Sequence, residues 1–543
     1  MSYYSKNNKK TKNACDFSDD KDDCYEELST KLRNEEFINL DIPEKAEYLL
    51  HNVFKLQNFR TPEQREAIYN AMKRCRDTYI CFPTGAGKSL CYQLPALAKN
   101  GVTIVFSPLI SLMEDQVKYL RSINIKCCTW NSTLDDLERS KITKDLMGEK
   151  LPENRIVYVS PESVNNKFFC KIIKKLNMMN RLNFFVVDEA HCISYWGHEF
   201  RSDYLKLSIM RTLCWTIPWI ILTATANTET EHSIIRSLKC DTTLNGIKIF
   251  KTTPWRKNLF YDVFFEEVFE KGITLEKHIL EYIKMITRIF KKKEGQNFKN
   301  VSGIVYCRTV KNCGKMAEFL TYNGISSAAY HSQLPSDNKK TIQEEWMKNK
   351  IHVVCATIAF GMGINKADVK FIIHHFPPDN LASYYQESGR AGRNGEQSFC
   401  RLYYSQKIKR KMKIFLNEKL KIIEDDVNSN EIKETRKKVA INDYEKVIEY
   451  CESVKCRNQT LCSYFEPSKN IICENQCDAC KQRMILMQRL NIFKNNISKV
   501  GKNIVPKSTL KRHISESDMS ISSDDENYNP KIKRSCSSID NSQ

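Results

Sequence analysis

The stretch Thr84-Gly85-Ala86-Gly87-Lys88-Ser89 constrains this chain more than any other. It sits between a short apolar run at 79–82 and a segment at 89–98 that reads as a helix. A strand that ends in a Gly-rich turn and opens a helix points amide groups at the helix start, where they cradle phosphate. Gly85 and Gly87 let the backbone close on that anion. Lys88 is spaced to reach the β and γ phosphates, and the Ser89 hydroxyl to ligate Mg²⁺. One position departs from the general pattern, because Phe82 stands where a glycine is usual. The turn requires a strand–loop–helix unit, so it predicts an α/β fold whose ligand is ATP with Mg²⁺.

The surrounding sequence repeats that unit. Short apolar strands recur at 103–106, 156–159, 184–187 and 220–222, with helical stretches between them. A second series follows Pro254, at 302–306, 326–330, 352–355, 371–374 and 401–404. Strands alternating with helices predict parallel sheets covered on both faces. With 543 residues the chain is too long for one ordinary core. We expect a charged, largely disordered segment over 1–40, a first lobe over 41–250 that binds ATP and a second lobe over 251–405. A helical subdomain over 406–485 and a disordered basic, serine-rich tail over 486–543 complete the expectation.

Two charged clusters carry chemistry. Asp188-Glu189-Ala190-His191 follows the apolar run 184–187 directly. The residues after a strand emerge at the sheet edge where such folds bind ligands. Asp188 there would hold Mg²⁺, and Glu189 would orient or deprotonate the attacking water. In the second half, Gln386-Glu387-Ser388-Gly389-Arg390-Ala391-Gly392-Arg393 sets two arginines three residues apart. Phosphoryl transfer needs positive charge on the γ phosphate, and an arginine from a neighbouring lobe can supply it.

Most of the 22 cysteines stand singly inside apolar runs, as Cys81, Cys91 and Cys355 do. There they read as small hydrophobes in a reducing compartment. The exception is Cys473, Cys477 and Cys480, within eight residues, with Cys456 upstream. These four form a set suited to tetrahedral Zn²⁺. Cys451 and Cys462 compete for the site but fall on apolar helical positions.

These residues resemble superfamily-2 helicases with a DEAH-type box, and among them the RecQ family, from about Phe59 to Cys480. Thr84 to Ser89 is similar to motif I, Ser107-Pro108-Leu109-Ile110-Ser111-Leu112-Met113 to motif Ia and Asp188 to His191 to motif II. Leu222-Thr223-Ala224-Thr225-Ala226 resembles motif III. Ala356-Thr357 with Phe360-Gly361-Met362-Gly363-Ile364 resembles motif V, and Gln386 to Arg393 motif VI. The resemblance implies two tandem RecA-like lobes followed by a zinc-binding subdomain, with His191, Gln386, Arg390 and Arg393 in the catalytic set. Phe59-Arg60 and Gln64 resemble the adenine-recognising motif 0, with one more residue between them than the family usually shows. Asn365 stands for the family's usual Asp, and Ala367 for its usual Pro. Trp196-Gly197-His198-Glu199-Phe200-Arg201 resembles the aromatic-rich loop that senses single-stranded DNA, so Trp196, Phe200 and Arg201 are the expected DNA contacts. Exposed aromatics stack on bases regardless of sequence. The cysteine pattern, with its Cys-Asp-x-Cys ending, resembles the RecQ zinc subdomain.

The formal charge of +20 fits a polyanionic partner. No run of about 18 apolar residues exists, so no membrane span is expected, and the polar N-terminus lacks a signal peptide's apolar core. Only 63 residues follow Cys480, too few and too polar for the winged-helix domain of many RecQ proteins. The expected function is a 3′→5′ DNA helicase serving repair, recombination or replication, with repair or replication proteins as possible partners of the tails. The alternative is a DNA-dependent ATPase that remodels protein–DNA complexes or anneals strands. An inactive scaffold fits less well, given intact Lys88, Asp188, Glu189, Arg390 and Arg393, and an RNA helicase fits less well, given the aromatic loop and the cysteine set. The basic run Lys531-Ile532-Lys533-Arg534 points to the nucleus.

Overall fold

The computed structural model describes residues 19–195, 200–240, 246–294, 301–358, 360, 366–426 and 429–495. Its frame is two parallel sheets. The first comprises β1 (Asp77–Cys81), β2 (Val102–Phe106), β3 (Cys127–Trp130), β4 (Ile156–Val159), β5 (Leu182–Val187), β6 (Trp219–Thr223) and β7 (Ile247–Lys251). Their order is β3-β4-β2-β5-β6-β1-β7. The second comprises β8 (Leu259–Phe265), β9 (Ser302–Tyr306), β10 (Ser327–Tyr330), β11 (Val353–Ala356), β12 (Val369–His374) and β13 (Ser398–Tyr404), in the order β10-β11-β9-β12-β13-β8. Central strands such as β2 and β5 are buried along their whole length. Helices cover both faces, which is why these strands read as unbroken apolar runs rather than alternating ones.

Three strands were not evident in the sequence. β3 is Cys-Cys-Thr-Trp, without a branched aliphatic run. β7 is an edge strand whose lysines leave it half exposed. β8 is interrupted by Asp262, which the fold buries against Arg401 of β13, with Nε donating at 2.8 Å.

Both expected disordered ends need correction. The chain is helical over Asp19–Arg33 and again over Glu35–Asn39, where 1–40 reads as a charged tail. Tyr25, Leu28 and Leu32 stand three and four residues apart, so one helix face is apolar. Leu32 and Phe37 join the core of the first lobe, with Leu28 packed against it. At the other end, Arg483–Asn495 is a helix that passes the expected boundary at 485. Leu486, Leu490 and Phe493 form its buried face, and Phe493 meets Phe265 at 5.1 Å and Tyr404 at 5.3 Å. Residues 1–18 and 496–543 lie outside the described residues.

Between β13 and this last helix come Gln406–Glu424, Asn430–Glu452, Arg457–Phe465 and the short Asp478–Lys481. Among the described residues no helix is long and apolar enough to cross a membrane.

Candidate nucleotide site and zinc centre

The phosphate loop leaves β1 and enters the helix Leu90–Ala98. Gly85 and Gly87 both take positive φ, +87° and +81°, values that side-chain-bearing residues rarely adopt. Phe82 fits in place of glycine because its ring is buried in the core while its N–H donates to Thr223 O at 3.2 Å. Its carbonyl also accepts from Lys88 Nζ at 3.2 Å. Burial lowers the Lys88 ammonium pKa, and the carboxylates of Glu189 and Asp188 oppose that shift.

Arg60 and Gln64 reach the same loop despite their unusual spacing. The Gln64 Nε2 donates to Gly87 O at 3.0 Å, and its Oε1 accepts from Arg60 N at 2.7 Å. The Arg60 guanidinium donates to Gly85 O. A Cβ at Gly87 would lie 2.5 Å from Gln64 Nε2. A side chain there would displace the Gln64 amide from Gly87, and the positive φ favours glycine in any case.

Asp188 and Glu189 emerge at the end of β5, beside the loop. Burial pushes the Asp188 carboxyl up to about 7, reinforced by Glu189 and opposed by Lys88. Glu189 holds a left-handed backbone at φ 49°, the kind of strain that persists where the surroundings over-determine a site. His191 is buried with Nδ1 3.3 Å from Thr223 Oγ1 and 3.4 Å from Glu189 Oε2. Burial first, then Lys88 and Arg201, drives its pKa down to about 3, so the imidazole is neutral. It links the acidic turn to the 222–226 stretch, whose Thr225 N–H donates to the same Thr223 hydroxyl at 3.2 Å. Tyr204, which sequence reasoning missed, donates its hydroxyl to Asp188 O at 3.1 Å.

Arg201 lies beside this turn. Its N–H donates to Cys192 O at 2.9 Å and its Nη1 to Pro108 O at 2.6 Å, which ties the acidic turn to the 107–113 stretch. Phe200 stacks on Tyr195 at 4.1 Å. Trp196 lies outside the described residues, as do 361–365 of the second lobe.

The second lobe brings its arginines to the same loop. A Cβ at Gly85 would lie 3.6 Å from Arg393 Cγ, and one at Gly389 would lie 3.6 Å from Thr84 Cβ. Burial pulls the Arg393 guanidinium down to about 9, with the like charges of Arg390 and Arg256 adding to it. Gln386 and Arg390 are buried nearby. Two residues before β8 shape this turn. Arg256 Nη1 donates to Gly389 O at 3.0 Å, its Nη2 donates to Gly392 O, and Asn258 Nδ2 donates to Gly392 O at 2.8 Å. Neither carries a sequence signal, since Trp255-Arg256-Lys257-Asn258 reads as a polar connector.

The four expected cysteines converge. The Sγ atoms of Cys456, Cys473, Cys477 and Cys480 all lie within 4.8 Å of one another. Cys473–Cys477 is 3.6 Å and Cys477–Cys456 is 3.8 Å. A tetrahedron of Zn–S bonds near 2.3 Å sets sulfurs about 3.8 Å apart, so the set fits zinc. Hydrogen bonds from Cys473 and Cys477 hold the Cys456 thiol far below its ordinary range. Glu474 and Asn475 turn the knuckle with φ of 50° and 60°. Asp478 anchors the module by accepting from Arg457 Nε at 2.9 Å and from Val263 N on β8 at 3.0 Å. Cys451 and Cys462 are buried helix thiols outside the cluster.

Residues 61–233 match the DEAD/DEAH box helicase model, 281–395 the helicase conserved C-terminal domain and 411–481 the RecQ zinc-binding model. The chain is 36% identical to ATP-dependent DNA helicase Q5 of Rattus norvegicus over 83% of this chain and 45% of that one. It is 39% identical to ATP-dependent helicase SGS1 of Saccharomyces cerevisiae, over 80% and 28%. It is 38% identical to RecQ-like DNA helicase BLM of Xenopus laevis, over 80% and 30%. The chain thus spans less than half the length of these relatives. In fold it resembles the DEAD-box helicase Mss116, with TM-score 0.53 and 15% identity over 88% of this chain and 97% of that one. It also resembles the DUF1998 helicase MrfA, with TM-score 0.53 and 18% identity over 69% and 50%. Two helicase lobes followed by a RecQ zinc module, with relatives at this identity along four fifths of its length, make this chain a member of the RecQ family of helicases.

Proposed function

We propose that this chain is an ATP-driven DNA motor that moves 3′→5′ along one strand and unwinds the duplex ahead of it. The observation that carries the reading is the meeting of Arg393 from the second lobe with the phosphate loop of the first. A nucleotide held there is contacted from both lobes, so its binding and hydrolysis change how the lobes sit together. A motor needs that coupling.

In this reading Lys88 neutralises the β and γ phosphates and Ser89 with Asp188 holds Mg²⁺. Glu189 positions the attacking water, with neutral His191 linking it to the 222–226 stretch. Arg390 and Arg393 stabilise charge on the transferring phosphoryl group, as arginines of a neighbouring lobe do, and Gln386 lies with them. Arg60 and Gln64 serve the adenine side. Trp196, Phe200 and Arg201 contact single-stranded DNA, and the zinc held by the four cysteines stabilises the module behind the motor. The cellular setting is DNA repair, recombination or replication in the nucleus, with protein partners bound by the tails.

The test is ATP turnover with single-stranded DNA, duplex DNA and RNA, beside strand displacement on forked and tailed substrates. Turnover stimulated by single-stranded DNA, with displacement, supports the reading. Stimulated turnover without displacement points instead to remodelling or annealing.

A further inference from the structure

The helix Arg457–Phe465 joins two places that the reading above leaves separate. Its N-terminus is Cys456, whose Sγ accepts from Gln459 N at 3.4 Å and which also belongs to the zinc set. Its last two residues are Tyr464 and Phe465. Nine helical residues make a rod of about 13 Å. One end is therefore held by the zinc cluster, and the other end leaves the zinc module.

Phe465 packs on Tyr385, with ring centroids 4.8 Å apart, in a small apolar cluster with Ala382. Tyr385 sits on the helix Leu381–Ser388, next to Gln386 and just ahead of Arg390 and Arg393. Its hydroxyl donates to Pro254 O at 2.6 Å, on the connector between β7 and β8 that crosses from one lobe to the other. Arg256, two residues further on, holds the carbonyls of Gly389 and Gly392. Tyr464 packs on the same cluster, its ring centroid 5.0 Å from that of Phe465. The pair therefore packs on the helix that leads into the arginine turn.

We infer that Tyr464 and Phe465 are positioning residues for ATP hydrolysis, setting the arginine turn against the phosphate loop through Tyr385 and its bond to the interlobe connector. The inference rests on the proposed ATP site. Neither side chain meets nucleotide. Both act through Tyr385, and their effect belongs to the transition state, where a misplacement of about 1 Å can cost 100-fold.

Three variants of the full chain test it, read by ATP turnover with saturating single-stranded DNA, by KM for ATP and by bound zinc. Tyr385→Phe removes only the hydroxyl and leaves the ring on Phe465. It should lower kcat about fivefold, the scale of one net hydrogen bond, with KM and zinc content unchanged. Phe465→Ala should lower kcat about tenfold or more while zinc is retained, and Phe465→Tyr should restore it. If Phe465→Ala also loses zinc, Tyr385→Phe decides alone. Wild-type kcat in Tyr385→Phe overturns the inference. A wild-type chain with no ATP turnover overturns the functional reading itself, and this inference with it.

Discussion

At the scale of residues, the proposed ATP site is a set of charges opposed by burial. Lys88 pulls the Asp188 carboxyl pKa down against burial, while the carboxylates of Glu189 and Asp188 pull the Lys88 ammonium pKa up against it, and a bound nucleotide with its cation would join that balance. Lys88→Ala should cut ATP turnover about 100-fold or more, the cost of losing one preorganised charge-stabilising group, while DNA binding persists. Turnover and DNA affinity measured on the same preparation check it. Normal turnover would remove Lys88 from the site. Arg201→Ala should behave differently. Its guanidinium donates to Pro108 O of the 107–113 stretch, so basal turnover should largely survive while stimulation by single-stranded DNA weakens several-fold. A stimulation curve against DNA concentration reads that split.

At the scale of elements, what was legible followed physical signal. The phosphate loop, the acidic turn and the two arginines stand at strand or helix ends, where the residue types themselves mark the positions, although distant partners such as Arg256 and Gln64 complete the turns. β3, β7 and β8 were hidden because tertiary pairing, not propensity, makes them strands; Asp262 is tolerated in β8 only through Arg401 across the ladder. Arg256 and Asn258 were hidden for the same reason, since their partners lie more than 130 residues away in the chain. The zinc module was legible from thiol spacing. Cys477→Ser should release zinc and lower the thermal midpoint, because structural zinc contributes folding energy directly; one equivalent retained would overturn the ligand set. Asp443, on the helix Asn430–Glu452, gives a pH test. Burial pushes its carboxyl up to about 7, against the pull of Lys419 and Lys446. Its folded pKa lies above its unfolded one, so the native state holds the extra proton and stability falls as pH rises from about 4 to about 7. Asp443→Asn should therefore stabilise by about 1–3 kcal/mol at pH 8 and change little at pH 4. Denaturant midpoints at the two pH values measure it, and equal shifts at both would contradict the buried-charge account.

At the scale of the whole molecule, two parallel-sheet lobes meet at the phosphate loop, and a zinc module packs behind the second. The arrangement sets Arg393 of one lobe against the loop that carries Lys88 in the other, and in the proposed reading the γ phosphate would lie between them. In the proposed reading, ATP turnover at this seam would move the lobes, and lobes holding one DNA strand would move along it. The net charge of +20 adds a salt-dependent hold on phosphates that is independent of sequence. The measurement that tests this most directly is ATP-dependent strand displacement on partial duplexes carrying a single-stranded tail at either the 3′ or the 5′ end of the loading strand. The account predicts displacement from the 3′-tailed substrate, none without ATP and none with Lys88→Ala. Displacement only from the 5′-tailed substrate, or vigorous DNA-stimulated turnover with neither duplex opened, would contradict it.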